Sequence, residues 1–530
     1  MDLSRRTGQI SDLRAVLPAF ADPFATTSQL MTRTMDSMNR ASRIVPSPAV
    51  FWALVAAGLI VLCGCPERPP GTNRAEIAQP FKGQEVALIV PASLQLPALW
   101  EVVAQEWMEQ TGATLRWNEY VGEGGKSLQE MLAEPVPSGG RIILFPLQEL
   151  SNIDRYLAPI DTTKTSELDL KDVFKGLRER IVSRNRTPVA VPTSAPVLLC
   201  YYRADLLKAA GLKPPETWDD YQTLIDTLDR WAPGLTAVEP LAAGSGATLL
   251  SARTLAYAKH PENYSVWFDL ESGDPMLNSA GFQEAIAVAT RAWKKMPPSI
   301  MELSPLECRQ QILAGKAALA IGQEPVSGTK SASSERAPAI EVGGCRLPGS
   351  RRVYNTNSKR WDVLPQGSIH APGLCAFDGS AVGVGLGDGG TKDAAAWHLF
   401  AILVGAQFET NWAHLPKSPC RESQVSTATS WNESGLTLEE ASRAVDATAQ
   451  MLRDHQVVSA SPTSISPDLN QLIDKMIGRL LKEDLDPEMA LQQLQTEFEE
   501  LLSKVGKETF RSDYRRGLGL PPLETLPSSR

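Results

Sequence analysis

The sequence predicts an α/β fold, and three observations carry that expectation. Val86 to Val90 (Val-Ala-Leu-Ile-Val) is an unbroken apolar run, as in a strand covered on both faces of a parallel sheet. From there to Phe145, strand-like and helix-like patterns alternate, which is the winding of an α/β lobe. Further on, capped helices recur, each with an apolar stripe at helical spacing. At 530 residues the chain is long enough for two or more domains.

The elements follow in order. After Val90 comes a loop with Pro91, Ser93 and Gln95, then a helix with Leu96, Leu99, Trp100, Val103 and Trp107 on one side, ended by Gly112. Leu115 to Tyr120 reads as a second strand, Ser127 to Ala133 as a second helix and Ile142 to Phe145 as a third strand. Gly122-Glu-Gly-Gly-Lys-Ser127 ends like a phosphate-binding loop. That motif needs glycine five positions before Gly125, and Tyr120 stands there, so the stretch is read as a turn lining a cleft.

Thr187 to Gln222 organises the rest. Val189 to Val191 is a short apolar run closed by Pro192, and Val197 to Tyr202 is a second run rich in β-formers. A short helix with Leu206, Leu207 and Ala210 follows. Gly211 sits where a left-handed cap belongs, and Pro214-Pro215 stops the helix. Thr217 opens the next helix with Asp220 in the capping-box position, and Trp218, Tyr221, Leu224, Ile225 and Leu228 give it a buried face.

This order of parts resembles the bacterial extracellular solute-binding proteins of family 1, the sugar receptors of ABC importers. Tyr201 to Trp218 matches their "Y-Y-N-K-D-L-x-K-x-A-G-L-x-x-P-x-T-W" segment, with Arg203 and Ala204 standing where the family has Asn and Lys. Gln310 to Gly322 is similar to "F-x-x-G-K-A-A-M-x-I-x-G", where the family's helix gives way to the strand re-entering the first lobe. Asp378-Gly379-Ser380 resembles "G-G-S" and the strand that returns to the second lobe. Lys392 to Phe400 matches the next helix, and Pro416 to Arg421 suits the "P-x-R" loop. Ser327 to Gln366 is polar and reads as an exposed excursion around one edge strand. Three amphipathic helices, starting at Thr437, Ser466-Pro467 and Asp486-Pro487, close the chain.

The resemblance implies a two-lobed periplasmic-binding-protein-like fold, each lobe a sheet flanked by helices, with a hinge crossed near Val191, Leu319 and Ser380. The implied organisation is an N-terminal extension and lipoprotein signal peptide over 1–64 and a tether over 65–80. Lobe 1 would take 81–192 and 318–380, lobe 2 would take 193–317 and 381–460, and C-terminal helices over 461–530 would pack on the lobes.

The start of the chain agrees with export. Arg40 and Arg43 precede an apolar run from Val50 to Leu62, too short for the roughly 20 apolar residues that span a bilayer. Leu62-Cys-Gly-Cys65 resembles the bacterial lipobox, so Cys65 is the expected lipidation site, Cys63 falls in the part removed, and Met31, Met35 and Met38 are alternative starts. Five cysteines remain (Cys200, Cys308, Cys345, Cys375 and Cys420). The number is odd in an oxidising compartment, so at least one stays unpaired, with Cys200 in its apolar run the candidate; which others pair is open.

A net charge of −9 with no basic cluster argues against a nucleic-acid partner. No Gly-x-Ser-x-Gly elbow, His-Glu-x-x-His or paired Cys-x-x-Cys occurs, which favours binding over catalysis and leaves no expected metal or cofactor. A saccharide offers flat C–H faces edged with hydroxyls, suited by aromatic rings and short polar side chains. Trp267, Trp361, Trp412 and Trp431 lie in loop-like contexts and are the stacking candidates, whereas Trp100, Trp107, Trp218, Trp293 and Trp397 lie on helix faces and belong to the core. Tyr201 and Tyr202 follow the crossing segment. Thr193, Ser194, Asp378, Gly379 and Ser380 sit where the chain passes between lobes. Arg203 is expected in a surface salt bridge. The expected protein is a monomeric, membrane-anchored receptor that passes a sugar or oligosaccharide to ABC permease subunits. The alternative is an anchored sensor or assembly module that keeps the fold without a transporter.

Overall fold

The computed structural model describes residues 79–521 and 523, apart from 93–97, 122–124, 162–165, 325–336, 338–339, 388–392, 406–417, 426–434 and 522. Cys65, Trp412 and Trp431 lie outside the described residues, as does the whole N-terminal extension.

The chain first builds β1 (Glu85–Pro91), α1 (Ala98–Thr111), β2 (Thr114–Tyr120), α2 (Leu128–Leu132), β3 (Arg141–Pro146) and β4 (Val191–Ser194). It then crosses to β5 (Leu199–Arg203), α3 (Ala204–Ala209), α4 (Trp218–Asp226), β6 (Thr236–Val238), α5 (Ser245–Ala258), α6 (Ala280–Trp293), α7 (Pro305–Leu313), β7 (Ala317–Gly322), β8 (Val342–Arg346) and a hairpin of β9 (Arg352–Asn355) and β10 (Arg360–Val363). Next come β11 (Ser380–Val384) and α8 (Ala394–Val404), and last α9 (Leu438–Leu452), α10 (Ser466–Lys482), α11 (Pro487–Val505) and α12 (Lys507–Gly517).

Two sheets result. The first has the order β2-β1-β3-β11-β4, with β1, β2 and β3 parallel and β11 antiparallel to both its neighbours. One of its faces packs Val86, Leu88, Val90, Ile142, Leu144, Val382 and Val384 against Trp100, Val103 and Trp107 of α1 and Leu399, Phe400 and Leu403 of α8. Both faces of β1 and β3 are buried, which is why their sequences are continuous apolar runs rather than alternating ones. The second sheet has the order β8-β5-β7-β6. Here α9 covers β8, and α10 and α11 lie over α5 and α6.

Local chemistry sets the helix starts. Ser127, Thr217, Ser304 and Thr437 each complete a capping box with an acidic residue three positions on, satisfying free amides of the first turn. Gly211 takes φ +67° and closes α3, as its position after Ala210 predicts.

Two strands exchange their expected places. Ala317–Gly322, expected to re-enter the first lobe, pairs with β5 and β6 in the second sheet. Ser380–Val384, expected to return to the second lobe, lies between β3 and β4 in the first, and α8 follows it there. The lobe boundaries at 318–380 and 381–460 are corrected accordingly. The excursion after Ser327 holds β8, whose Val342, Gly343 and Gly344 are buried, so it supplies an edge strand of the second sheet. A fourth closing helix, α12, follows the three expected ones.

Candidate functional site

The carboxyl ends of β1, β2, β3 and β4 share one edge of the first sheet with the amino end of β11. Pro91 pairs with Tyr120 there, Ser380 with Pro146, and Ser380 with Ser194. In open α/β sheets the crevice beyond the strands' carboxyl ends is where ligands bind. The second sheet meets the crossing with the start of β5 and the end of β7, where Leu199 pairs with Gly322.

Three segments converge at this edge. β4 runs out through Ser194 and Ala195 toward β5; Gln323 and Glu324 leave β7; and Ala376 to Gly379 lead into β11. The Ser380 hydroxyl lies 2.8 Å from the Thr193 hydroxyl and 3.1 Å from that of Ser194. Gln323 Nε2 donates to Asp378 Oδ2 at 3.1 Å, and the Gly379 amide donates to Asp378 Oδ1 at 2.7 Å. The amide of Leu147 donates to the Gly379 carbonyl at 3.1 Å, tying the loop after β3 to the same point. Gly379 is required: its φ is +92°, and a Cβ would stand 2.3 Å from the Ser194 carbonyl oxygen. Thr193 and Asp378 keep partial exposure, so their polar atoms are the accessible ones of the group.

Behind the cluster lies a buried network. Arg309 holds Glu324 with Nε to Oε1 at 2.9 Å and Nη2 to Oε2 at 2.9 Å, and Tyr201 Oη donates to Oε1 at 2.8 Å. A buried bidentate pair with its remaining lone pair satisfied fixes geometry strongly. Burial, helped by the Glu324 carboxylate, pushes the Tyr201 phenol well above its ordinary range, so it stays a donor. The network sets where the polypeptide leaves β7, one residue after Gln323.

The candidates from sequence therefore divide. Thr193, Ser194, Asp378, Gly379 and Ser380 come together. Tyr201 is buried in the Arg309–Glu324 network. Tyr202 packs over Gly343, where a Cβ would stand 2.1 Å from its ring, and burial pushes its phenol up to about 12. Trp267 meets Phe282 edge-on at 5.1 Å and lines small cavities beside α10 and α11. Trp361 stands between Tyr354 at 5.6 Å and the Arg352 guanidinium at 4.5 Å, on the β9–β10 hairpin. Arg203 forms a bidentate pair with Asp205, at 2.8 and 2.6 Å, and is buried rather than on the surface. Of the five tryptophans expected in the core, Trp100, Trp107, Trp218 and Trp293 are buried and Trp397 is half-buried. Gln323, Glu324 and Arg309 are the contributors that sequence reasoning passed over. Their signal was a polar pair directly after the six buried residues of β7.

Beside the C-terminal helices, cavities lined by described residues measure about 10 to 30 Å³, room for a water and too small for a sugar. The crossing edge is where the geometry gathers polar groups from both sheets.

Residues 93–342 match the family model described as bacterial extracellular solute-binding protein. A search of curated proteins finds no match. Solved structures share the fold at low identity. MalE of Xanthomonas citri, a sugar-binding protein, gives a TM-score of 0.59 at 17% identity, covering 79% of this chain and 98% of its own. Maltose-bound MalE3 of T. maritima gives 0.55 at 14%, covering 79% and 100%. A ribitol complex of an ABC transporter solute-binding protein from Agrobacterium radiobacter K84 gives 0.54 at 17%, covering 80% and 100%. The fold is thus the two-lobed periplasmic-binding-protein one. The matched stretch, which holds the crossing from β4 to β5 and the strands β5, β6 and β7 of the second sheet, is similar to the bacterial extracellular solute-binding protein family.

Proposed function

We propose that the chain is an exported receptor that closes its two lobes on a carbohydrate or polyol and hands it to an ABC permease. The observation that carries this reading is the convergence of Thr193, Asp378, Gly379, Ser380 and Gln323 where segments from both sheets meet. Hydroxyls, an amide and a carboxylate, with half of them partly exposed, suit a solute rich in hydroxyl groups. A solute touching both lobes only when they are closed shifts the open–closed balance by its differential affinity. The sugar- and polyol-bound relatives by fold support that solute class, and the family supports export and an importer partner.

Lipid on Cys65 would hold the receptor at a membrane, with residues 66–80 as tether. At about 0.8 kcal/mol per buried CH₂, two or three acyl chains anchor a protein durably. No described helix is long and apolar enough to cross a membrane. Titration calorimetry of the purified chain against maltose, longer maltooligosaccharides and ribitol tests the reading. Saturable heat with one of them supports it, and Asp378→Ala should then weaken binding by about tenfold or more, as loss of a hydrogen bond to a charged group does. Heats at the dilution level for every carbohydrate and polyol would remove the sugar assignment.

A further inference from the structure

We propose that Cys200 and Cys345 are a disulfide pair that closes across the second sheet in the exported protein. β5 and β8 run antiparallel, and the register sets Cys345 directly opposite Cys200. The Ala204 amide donates to the Glu341 carbonyl at 2.8 Å, next to the Arg203–Val342 pair, so pairs alternate from there as hydrogen-bonded and non-hydrogen-bonded. Cys200–Cys345 falls on the hydrogen-bonded type, whose Cα atoms lie about 5.5 Å apart. A disulfide spans Cα separations of about 4.4–6.8 Å. Directly opposed residues also send their side chains to one face of the sheet.

The sulfur positions agree with the backbone. Cys345 Sγ lies 3.5 Å from the Cys200 carbonyl oxygen, and the two thiols interact with each other. Contact with Cys345 and then burial push the Cys200 thiol well above its ordinary range. Among the described cysteines, these are the two that a strand register places face to face. Cys375 pairs in register with Ser459, and Cys308 lies on α7. In the structure both thiols are free, as the sequence expectation for Cys200 has it, and the proposed bond would pair them on oxidation. The bond would clip β8, the outermost strand of its sheet, to β5.

The chemistry needs a disulfide oxidant, supplied by glutathione disulfide or by an oxidoreductase of the export compartment. Cys345 is the more exposed thiol, so it reacts first. Its thiolate attacks one sulfur of the oxidant, forms a mixed disulfide and expels one thiolate. The Cys200 thiolate then attacks the Cys345 sulfur, forms the Cys200–Cys345 bond and expels the second. The protein loses two electrons to the oxidant, and the two thiol protons leave with the two reduced thiols.

The inference rests on the exported reading for its compartment, but the pairing itself is testable without it. Full-length reduced protein is incubated with glutathione disulfide, free thiols are blocked with iodoacetamide, and the digest is read by mass spectrometry without reduction. The expected result is a linked peptide joining Cys200 to Cys345, absent in Cys345→Ser. Both cysteines alkylated, a stable glutathione adduct on Cys345, or linkage of either to another cysteine would overturn the pairing. Whether the cell exports the protein does not affect this readout.

Discussion

Thr193 and Ser380, 187 positions apart in sequence, meet through their hydroxyls at 2.8 Å. One lies at the end of β4, a residue before its last, where the chain crosses to the second lobe, and the other begins β11, the strand that comes back. Two passages of the chain are thus fastened side by side at the carboxyl edge of the first sheet. Nearby, Gln323 joins the end of β7 to Asp378, so the second sheet is tied to the same point.

Gly379 should be the least replaceable glycine at the crossing. In Gly379→Ala the left-handed backbone is strained and the new Cβ meets the Ser194 carbonyl, whereas Gly211→Ala shares a positive φ but has open space around it. Left-handed backbone costs an ordinary residue about 1–2 kcal/mol, so Gly211→Ala should lose about that much. Gly379→Ala should lose at least about 1 kcal/mol more, read as a lower urea midpoint. Equal losses would mean that the close approach to Ser194 is relaxed at no cost.

Breaking the Arg309–Glu324 pair from one side should cost more than removing it whole. Glu324→Ala removes the bidentate carboxylate from a buried guanidinium and is expected to destabilise by about 3–5 kcal/mol. The double variant Arg309→Met with Glu324→Leu keeps the volume and leaves no charge, so it should recover a good part of that loss. Tyr201→Phe, which removes one hydrogen bond to the carboxylate, should cost about 1–3 kcal/mol. Denaturant unfolding of the set reads all three, and a double variant worse than Glu324→Ala would contradict the account.

His370 predicts an acid-side loss of stability. Burial lowers its pKa to about 4, while its Nε2–H donates to the Lys259 carbonyl at 2.6 Å. Neutral in the fold and protonated in the unfolded chain, it contributes stability that is complete above pH 6.5 and lost as pH falls toward 4. The loss attributable to it is about 3 kcal/mol. His370→Gln should flatten the thermal midpoint's slope between pH 6.5 and 4. An unchanged slope would assign the acid sensitivity to other groups.

Much of the architecture could be read from residue pattern alone, and the failures have physical causes. Capping boxes and apolar runs are local, so Thr217–Asp220, Thr437–Glu440 and β1 to β3 fell where their residues pointed. Which sheet takes β7 or β11 is not local. All residues of both strands are buried, and an unbroken apolar run suits the middle of either sheet equally. Pairing over more than a hundred positions decides it. The helix α12 escaped notice because its Lys-Glu-Thr-Phe-Arg-Ser-Asp-Tyr-Arg-Arg sequence is almost wholly polar. Its two buried aromatic rings, Phe510 and Tyr514, pack against Phe268 at 4.7 and 5.1 Å, and the rest of its sequence carries no apolar stripe. The cluster of short polar residues at the crossing was legible because small and hydroxylated residues interrupt apolar strands there. Its partners Gln323 and Glu324 were not, since their roles depend on Asp378 and Arg309 arriving from elsewhere.

The central claim is mechanical, and small-angle scattering tests it most directly. The radius of gyration of the purified chain is measured without solute and at saturation with a carbohydrate that gives heat in calorimetry. Closure of the lobes around the Thr193–Ser380 crossing predicts a smaller radius in the bound state, reversed on removal of the solute. A bound protein with the same radius as the free one would contradict it.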